Sequence, residues 1–343
     1  MNAKTYLKSK LLWPLILLPL AFLVNLSLGS VYIPFGSILS GLFTDYPLEE
    51  SWLFILNDYR LPKATTAILV GGGLSVSGLL MQTLFRNPLA GPFVLGISSG
   101  ASLGVAFLVL GSGLITGLSA SVLTGPWAMV LASAGGSFLV LLAVVGAANK
   151  IKDPMTLLII GLMFGSLTGA VVSVLSYFSR AEALQRFIFW SFGGLGHLSW
   201  TGILILLFCC LLGLILAIRG IKVMNAMLLG PGYAASLGVS VKQSTLLIVL
   251  STSVLAGGIT AFAGPIAFVG LAVPHLVRQI IRTPDHRIMV PASFLWGSII
   301  MLLCDAVSQI PFSALTLPIN AVTSILGAPV VIWILIKKKN LMF

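Results

Sequence analysis

Ten runs of about 20 mainly apolar residues recur along this chain, and that recurrence decides what it can fold into. A helix needs about 20 such residues, rising 1.5 Å each, to cross the hydrocarbon of a bilayer. The runs fall at 11–29, 64–84, 93–111, 127–148, 155–178, 201–218, 244–262, 264–281, 288–308 and 319–336. Only 8% of the 343 residues are charged, against roughly 25% in soluble domains, and mean hydropathy is +1.11. Too few charges remain to coat a water-facing surface. The sequence therefore predicts an all-α integral membrane protein of ten transmembrane helices, one polytopic domain over 1–343. The seventh and eighth runs are parted only by Ala263-Gly264-Pro265, so one of them is expected to be short or broken.

The net charge of +11 does not indicate nucleic acid, because the basic residues lie in the loops between apolar runs. Ten spans put both termini on one side. With that side cytoplasmic, its segments hold Lys4, Lys8, Lys10, Arg86, Lys150, Lys152, Arg219, Lys222, Lys242, Arg278, Arg282, Arg287 and Lys337 to Lys339, 15 of the 19 basic residues. The external segments hold Arg60, Lys63, Arg180 and Arg186, with five of the eight acids: Asp45, Glu49, Glu50, Asp58 and Glu182. Such a bias sets orientation by the positive-inside rule. The first run is longer than the roughly 7–15-residue core of a signal peptide and reads as an uncleaved helix. Residues 30–63 read as an external interfacial segment, and Phe187, Phe189 and Trp190 as part of a short helix on the membrane surface.

Glycine placement predicts how the helices meet. Gly71, Gly72, Gly73 and Gly78 strip side chains from part of the second run, and Gly96, Gly100 and Gly104 do the same for the third. Small residues let neighbouring backbones approach closely in a membrane. Pro88 and Pro92 forbid helix through the turn between these runs. Ala90-Gly91-Pro92 before the third run is echoed by Ala263-Gly264-Pro265 before the eighth, the kind of echo that inverted repeats leave in transporters.

Chemistry of the chain's own is sparse. No G-x-x-x-x-G-K-[ST] phosphate loop and no G-x-S-x-G nucleophile turn occurs. His197, His275 and His286 are scattered, and His275 reads as a hydrogen-bonded helix residue. Cys209, Cys210 and Cys304 lie in apolar runs as small buried groups. Asp305 is the only ionisable residue well inside a predicted span, with no cationic partner in a span. It is read as a packing residue, or as the ion site of a secondary carrier. A membrane-embedded enzyme would need a clustered catalytic set, and none is seen. A polytopic chain without an energy source is expected to be driven by a partner through an ordered cytoplasmic surface. Met224 to Gly238, MNAMLLGPGYAASLG, reads as two short amphipathic helices broken at Gly230-Pro231-Gly232, either lying on lipid or docked on a partner.

Three stretches carry a family resemblance. RLPKATTAILVGGGLSVSGLLMQTLFRNPLAGPFVLGISSGASLG from Arg60, GPIAFVGLAVPHLVRQIIRTPDHR from Gly264 and LPINAVTSILGAPVVIW from Leu317 closely resemble the FecCD-like permeases. These are the membrane subunits of ABC importers for iron-siderophores, haem and cobalamin. The resemblance implies a homodimer in the bacterial inner (cytoplasmic) membrane, two ATP-binding subunits, and a periplasmic or lipid-anchored substrate-binding protein. It implies that ATP and magnesium belong to the partner ATPase and that this chain binds no cofactor and is not itself an enzyme. The implied cargo is a metal chelate, iron-siderophore first, with cobalamin or haem as alternatives. Arg60 and Lys63 fall where family members present cations to the binding protein, and Gln309 where a relative carries a third. Asn87 and Leu89 fall at the cytoplasmic gate, with Asp153 to Thr156 at a matching turn. Met224, Asn225, Leu229, Gly230, Leu237 and Gly238 match the coupling helices that sit on the ATPase, with Pro231 where many relatives have an acid.

Overall fold

In a computed structural model the described residues are 3–43, 49–111, 126–150, 154–196, 198–309 and 315–337, and every regular element among them is helical. In chain order the helices are α1 (Ala3–Ser27), α2 (Phe35–Phe43), α3 (Glu50–Phe54), α4 (Leu61–Leu84), α5 (Ile97–Val109), α6 (Pro126–Lys150), α7 (Pro154–Phe178) and α8 (Ala181–Ser191). They continue with α9 (Trp200–Arg219), α10 (Ile221–Met227), α11 (Pro231–Ser236), α12 (Val241–Ala263), α13 (Val269–Ile281), α14 (His286–Ser308) and α15 (Ile319–Lys337). Among the described residues, seven helical stretches are long and apolar enough to cross a membrane. Three further apolar helices, in α5, α13 and α15, are shorter.

One stretch forms the core. A π-helical turn, Ile55–Arg60, joins α3 to α4, giving 35 continuous helical residues from Glu50 to Leu84. This corrects the reading of 30–63 as a purely interfacial segment: the helix starts well before residue 64. Pro62 has no N–H to give the preceding turn, and the widened π turn absorbs that loss without breaking the helix. Burial covers 20 of the 24 residues of α4, which packs against α9, α12, α13 and α14. By contrast, only 11% of the apolar stretch Ile159–Phe178 of α7 is buried.

The glycine seams are where the sequence places them. A Cβ at Gly78 would lie 1.6 Å from the Gly270 carbonyl oxygen of α13, and one at Gly71 would lie 2.2 Å from that of Gly297 in α14. On α5, a Cβ at Gly104 would meet the Ala132 oxygen of α6 at 1.9 Å. No larger residue fits these crossings without moving a helix.

The third and eighth runs are not full-length helices. Each becomes a 13-residue helix, α5 and α13, about 20 Å long against a hydrocarbon core of about 30 Å. A short break was expected near the eighth run but not at the third. The echoed triplets account for both: Ala90-Gly91-Pro92 leads into a 3-10 turn ending at Gly96 (φ 74), and Ala263-Gly264-Pro265 into an irregular segment ending at Phe268 (φ 67). Non-helical backbone at membrane depth must find partners within the protein. Ala267 N–H accordingly donates to Asn320 Oδ1 (3.0 Å), and Gly194 N–H to the Ala263 carbonyl (2.9 Å).

Candidate functional site

The N-terminal end of α4 gathers residues from three distant parts of the chain. Arg60 closes the π turn and is only 7% exposed. Its guanidinium donates to the carbonyls of Leu26, Ser27 (3.1 Å) and Val31, so it binds the end of α1 and the loop that follows. It is therefore not the freely presented cation that the sequence suggests. Its acceptors lie 29 to 34 residues upstream, where sequence gives no sign of them. Gly29 leaves the room it needs, since a Cβ there would be 2.7 Å from Arg60 Nη2 and 3.0 Å from Gln309 Oε1.

One turn along, Lys63 Nζ lies 3.0 Å from Asp305 Oδ1. The carboxylate, in a residue 1% exposed, also accepts from Asn25 Nδ2 (2.9 Å) and Gln309 Nε2 (3.0 Å). The reading of Asp305 as a carboxylate without a cationic partner is thus corrected. Because the helix begins at Glu50, Lys63 sits in a helical turn and reaches α14. A buried carboxylate lacking a cation and donors would be strongly destabilising, and here the cation and two amides supply its partners. Arg60, Lys63 and Gln309, grouped by resemblance, do converge on one place. Lys63 and Gln309 keep partial exposure there.

At its C-terminal end α4 stops at Leu84 and the chain turns sharply. Arg86 adopts a left-handed conformation (φ 47). Asn87 Oδ1 accepts from Leu89 N–H (2.9 Å), an Asx turn built by the Asn side chain. His275 of α13 has its Nε2 2.6 Å from the Pro88 carbonyl, which can only accept, so His275 is the hydrogen-bonded helix residue expected. Leu89 is 43% exposed, and Thr156 is exposed in the first turn of α7. Asp153 lies outside the described residues.

The segment 224–238 folds as the two short helices anticipated, α10 and α11. Gly230 (φ 105) and Gly238 (φ 81) occupy conformations open to glycine but strained for other residues. Met224 and Met227 are buried against the membrane helices. Leu229, Tyr233 and Leu237 face outward, 54–64% exposed. The row therefore has an anchoring side, Met224 included, and a free apolar side.

Asn225 fastens the segment to α14. Its Nδ2 donates to Asp285 Oδ1 (2.7 Å), while its Oδ1 faces the His286 backbone N–H (2.9 Å) and ring Nδ1 (2.7 Å). On the far side of the imidazole, Nε2 lies 2.8 Å from Thr83 Oγ1 of α4. Asp285 also caps α14 by accepting from Arg287 N–H (3.0 Å). Partial burial pushes its carboxyl pKa up, but the Arg287 N–H, the Asn225 amide and the Arg287 charge outweigh this. The group is held below its ordinary 3.8. Sequence reading missed Thr83, Asp285 and His286. The only available signal was three polar residues at the ends of apolar runs.

Comparison with known proteins places this arrangement. The model of the FecCD transport family matches residues 17–337. The chain is 34% identical to the hemin transport system permease protein HmuU of Yersinia pestis, over 99% of each chain. It is 34% identical to the vitamin B12 import system permease protein BtuC of Klebsiella pneumoniae, over 95% of this chain and 92% of that one. The solved structure of a transporter assigned to the metal-chelate ABC type, in an inward-facing conformation, superposes with a TM-score of 0.81 at 25% identity, covering 96% of this chain and 99% of that one.

Proposed function

Because this chain belongs to the FecCD transport family, we propose that it is driven by a separate ATPase to carry a metal chelate from a binding protein into the cytoplasm. It is a membrane permease of the ABC importer class for haem, cobalamin or metal chelates. The observation that carries the ATPase-driven reading is the coupling segment. Leu229, Tyr233 and Leu237 form an apolar face beside the membrane, on helices that Met224, Met227 and Asn225 anchor from behind. Exposed apolar surface of this kind calls for a partner.

The finer assignments follow. Seven long and three short apolar helices coincide in position with the ten apolar runs, supporting ten spans with both termini in the cytoplasm of a bacterial inner membrane. Two copies work with two ATP-binding subunits, which hold ATP and magnesium. The binding protein docks at the external end of α4, with Lys63 and Gln309 at the contact and Arg60 shaping the Leu26–Val31 loop beside it. ATP binding draws the two coupling segments together, and the turn carrying Asn87 and Leu89, with Asp153 to Thr156, closes behind the cargo. A ferric siderophore is the first candidate cargo, supported by the metal-chelate neighbour. The match to a haemin permease supports haem as the second.

The test is ATP hydrolysis by the purified permease–ATPase assembly with its binding protein, offered ferric siderophore, haemin or cyanocobalamin in turn. One chelate should stimulate hydrolysis and accumulate in proteoliposomes only when the ATPase is present. Uphill accumulation by this chain alone would instead establish an ion-coupled carrier, for which the Lys63–Asp305 pair would be the site to examine.

A further inference from the structure

We propose that Asn225, His286 and Thr83 form a positioning linkage that carries movement of the coupling segment to the turn Arg86–Leu89 at the end of α4. The inference rests on the importer reading, and assigns to three residues the connection between its driven surface and its gate.

The linkage has a fixed hydrogen-bond sense. A carboxylate only accepts, so Asp285 orients the Asn225 amide with Nδ2 toward itself and Oδ1 toward α14. An amide oxygen only accepts, so His286 Nδ1 carries a proton and donates to it. In the neutral ring Nε2 is then an acceptor, and the Thr83 hydroxyl donates to it. Each group sets the next, from α10 through α14 to α4.

Burial makes the string tight. His286 is 1% exposed and Thr83 fully buried, so water cannot readily replace a broken bond. An unpaired buried polar group is costly, and displacing one member therefore pulls on the next. Thr83 lies three residues before Arg86, in the last turn of α4. A second contact runs beside the first: a Cβ at Gly230 would lie 3.6 Å from Arg86 Nη1, so the Arg86 side chain rests near the hinge of the coupling segment. From the other side Gln82 Nε2 donates to the Leu271 carbonyl (3.1 Å), and His275 holds Pro88 (2.6 Å). The turn is thus suspended between α13 and the coupling segment.

The Thr83 hydroxyl also gives the linkage two settings. It has one proton and two acceptors in reach, His286 Nε2 at 2.8 Å and the Leu79 carbonyl at 2.9 Å. Engaged, it points across to α14. Released, it folds back onto its own helix and stays satisfied. Transmission between sites requires an element with two discrete arrangements.

The experiment uses the complete assembly in lipid nanodiscs, with a genetically encoded nitroxide at position 89 of each copy and inter-copy distances measured without nucleotide and with ATP plus vanadate. Thr83→Val keeps the shape and removes the hydroxyl. It should retain ATP hydrolysis while reducing the nucleotide-driven shift about fivefold or more, and Thr83→Ser should restore it. A full shift in Thr83→Val overturns the linkage. So does loss of hydrolysis in an assembled Thr83→Val complex, which would place the defect at the ATPase contact. Should that variant fail to assemble, His286→Asn, which keeps the bond toward Asn225 and loses the one toward Thr83, is read by the same criteria. Absence of a shift in the unmodified assembly would overturn the importer reading itself.

Discussion

The two ends of the α4 helix are held by opposite chemistry. At the N-terminal end, a partly exposed cation lies 3.0 Å from a buried carboxylate held by amides, and a buried guanidinium grips three carbonyls. At the C-terminal end, the contacts that cross to α14 and α10 are between uncharged groups, and the carboxylate beside them, Asp285, sits at a half-exposed rim. A buried ion pair is strongly destabilising to break because either partner alone is stranded. Neutral hydrogen bonds contribute only about 1 kcal/mol net and can be exchanged. The N-terminal end is held by contacts that cannot be given up singly, the C-terminal end by contacts that can be exchanged.

Removing one member of the Lys63–Asp305 pair is the largest way to break that contrast. Lys63→Met strands the Asp305 carboxylate and should lower the stability of the solubilised protein by about 3–5 kcal/mol, read by thermal unfolding in detergent. Adding Asp305→Asn should recover most of the loss; a double variant no better than the single would mean the pair is not a clamp. Next comes Arg60→Lys, which keeps the charge but loses the planar fork on three carbonyls, for about 1.5–3 kcal/mol. Thr83→Val at the C-terminal end, which leaves the buried His286 Nε2 without its donor, should cost about 1–3 kcal/mol in the same assay. If it costs as much as Lys63→Met, the two ends are alike after all.

The smallest effect is a pH dependence. The Asp285 carboxyl is depressed in the folded protein, so its contribution is complete above its ordinary 3.8 and is lost as pH falls through the lower folded value. Asp285→Asn should flatten the acid limb of stability, lowering it slightly near neutrality and converging with the unmodified protein at acid pH, read by thermal unfolding against pH.

The sequence makes the membrane helices legible because lipid demands long apolar runs, and α6, α7, α9, α12 and α14 begin and end within three residues of the runs that foretell them. The short helices were harder. α5 and α13 hide inside apolar runs whose first residues are not helical, and only the Ala-Gly-Pro triplets hint at it. The glycine seams could be read because a missing side chain has one structural use at a crossing. Arg60 and Lys63 could be located but not oriented, since their partners lie far along the chain. The Asn225–His286–Thr83 string spans separations of 61 and 203 residues, and no local pattern records such a contact.

The π turn at Ile55–Arg60 has a consequence for the residues that precede it. Each residue of an α-helix advances about 100° around its axis, so the residue accommodated in a widened turn swings everything before it by roughly that angle. Glu49, Glu50 and Trp52 are therefore aimed by this one irregularity, while all that follows Leu61 keeps its phase. A single-residue deletion there would re-point Glu49, Glu50 and Trp52 like a swivel and leave the protein-buried shaft of α4 untouched.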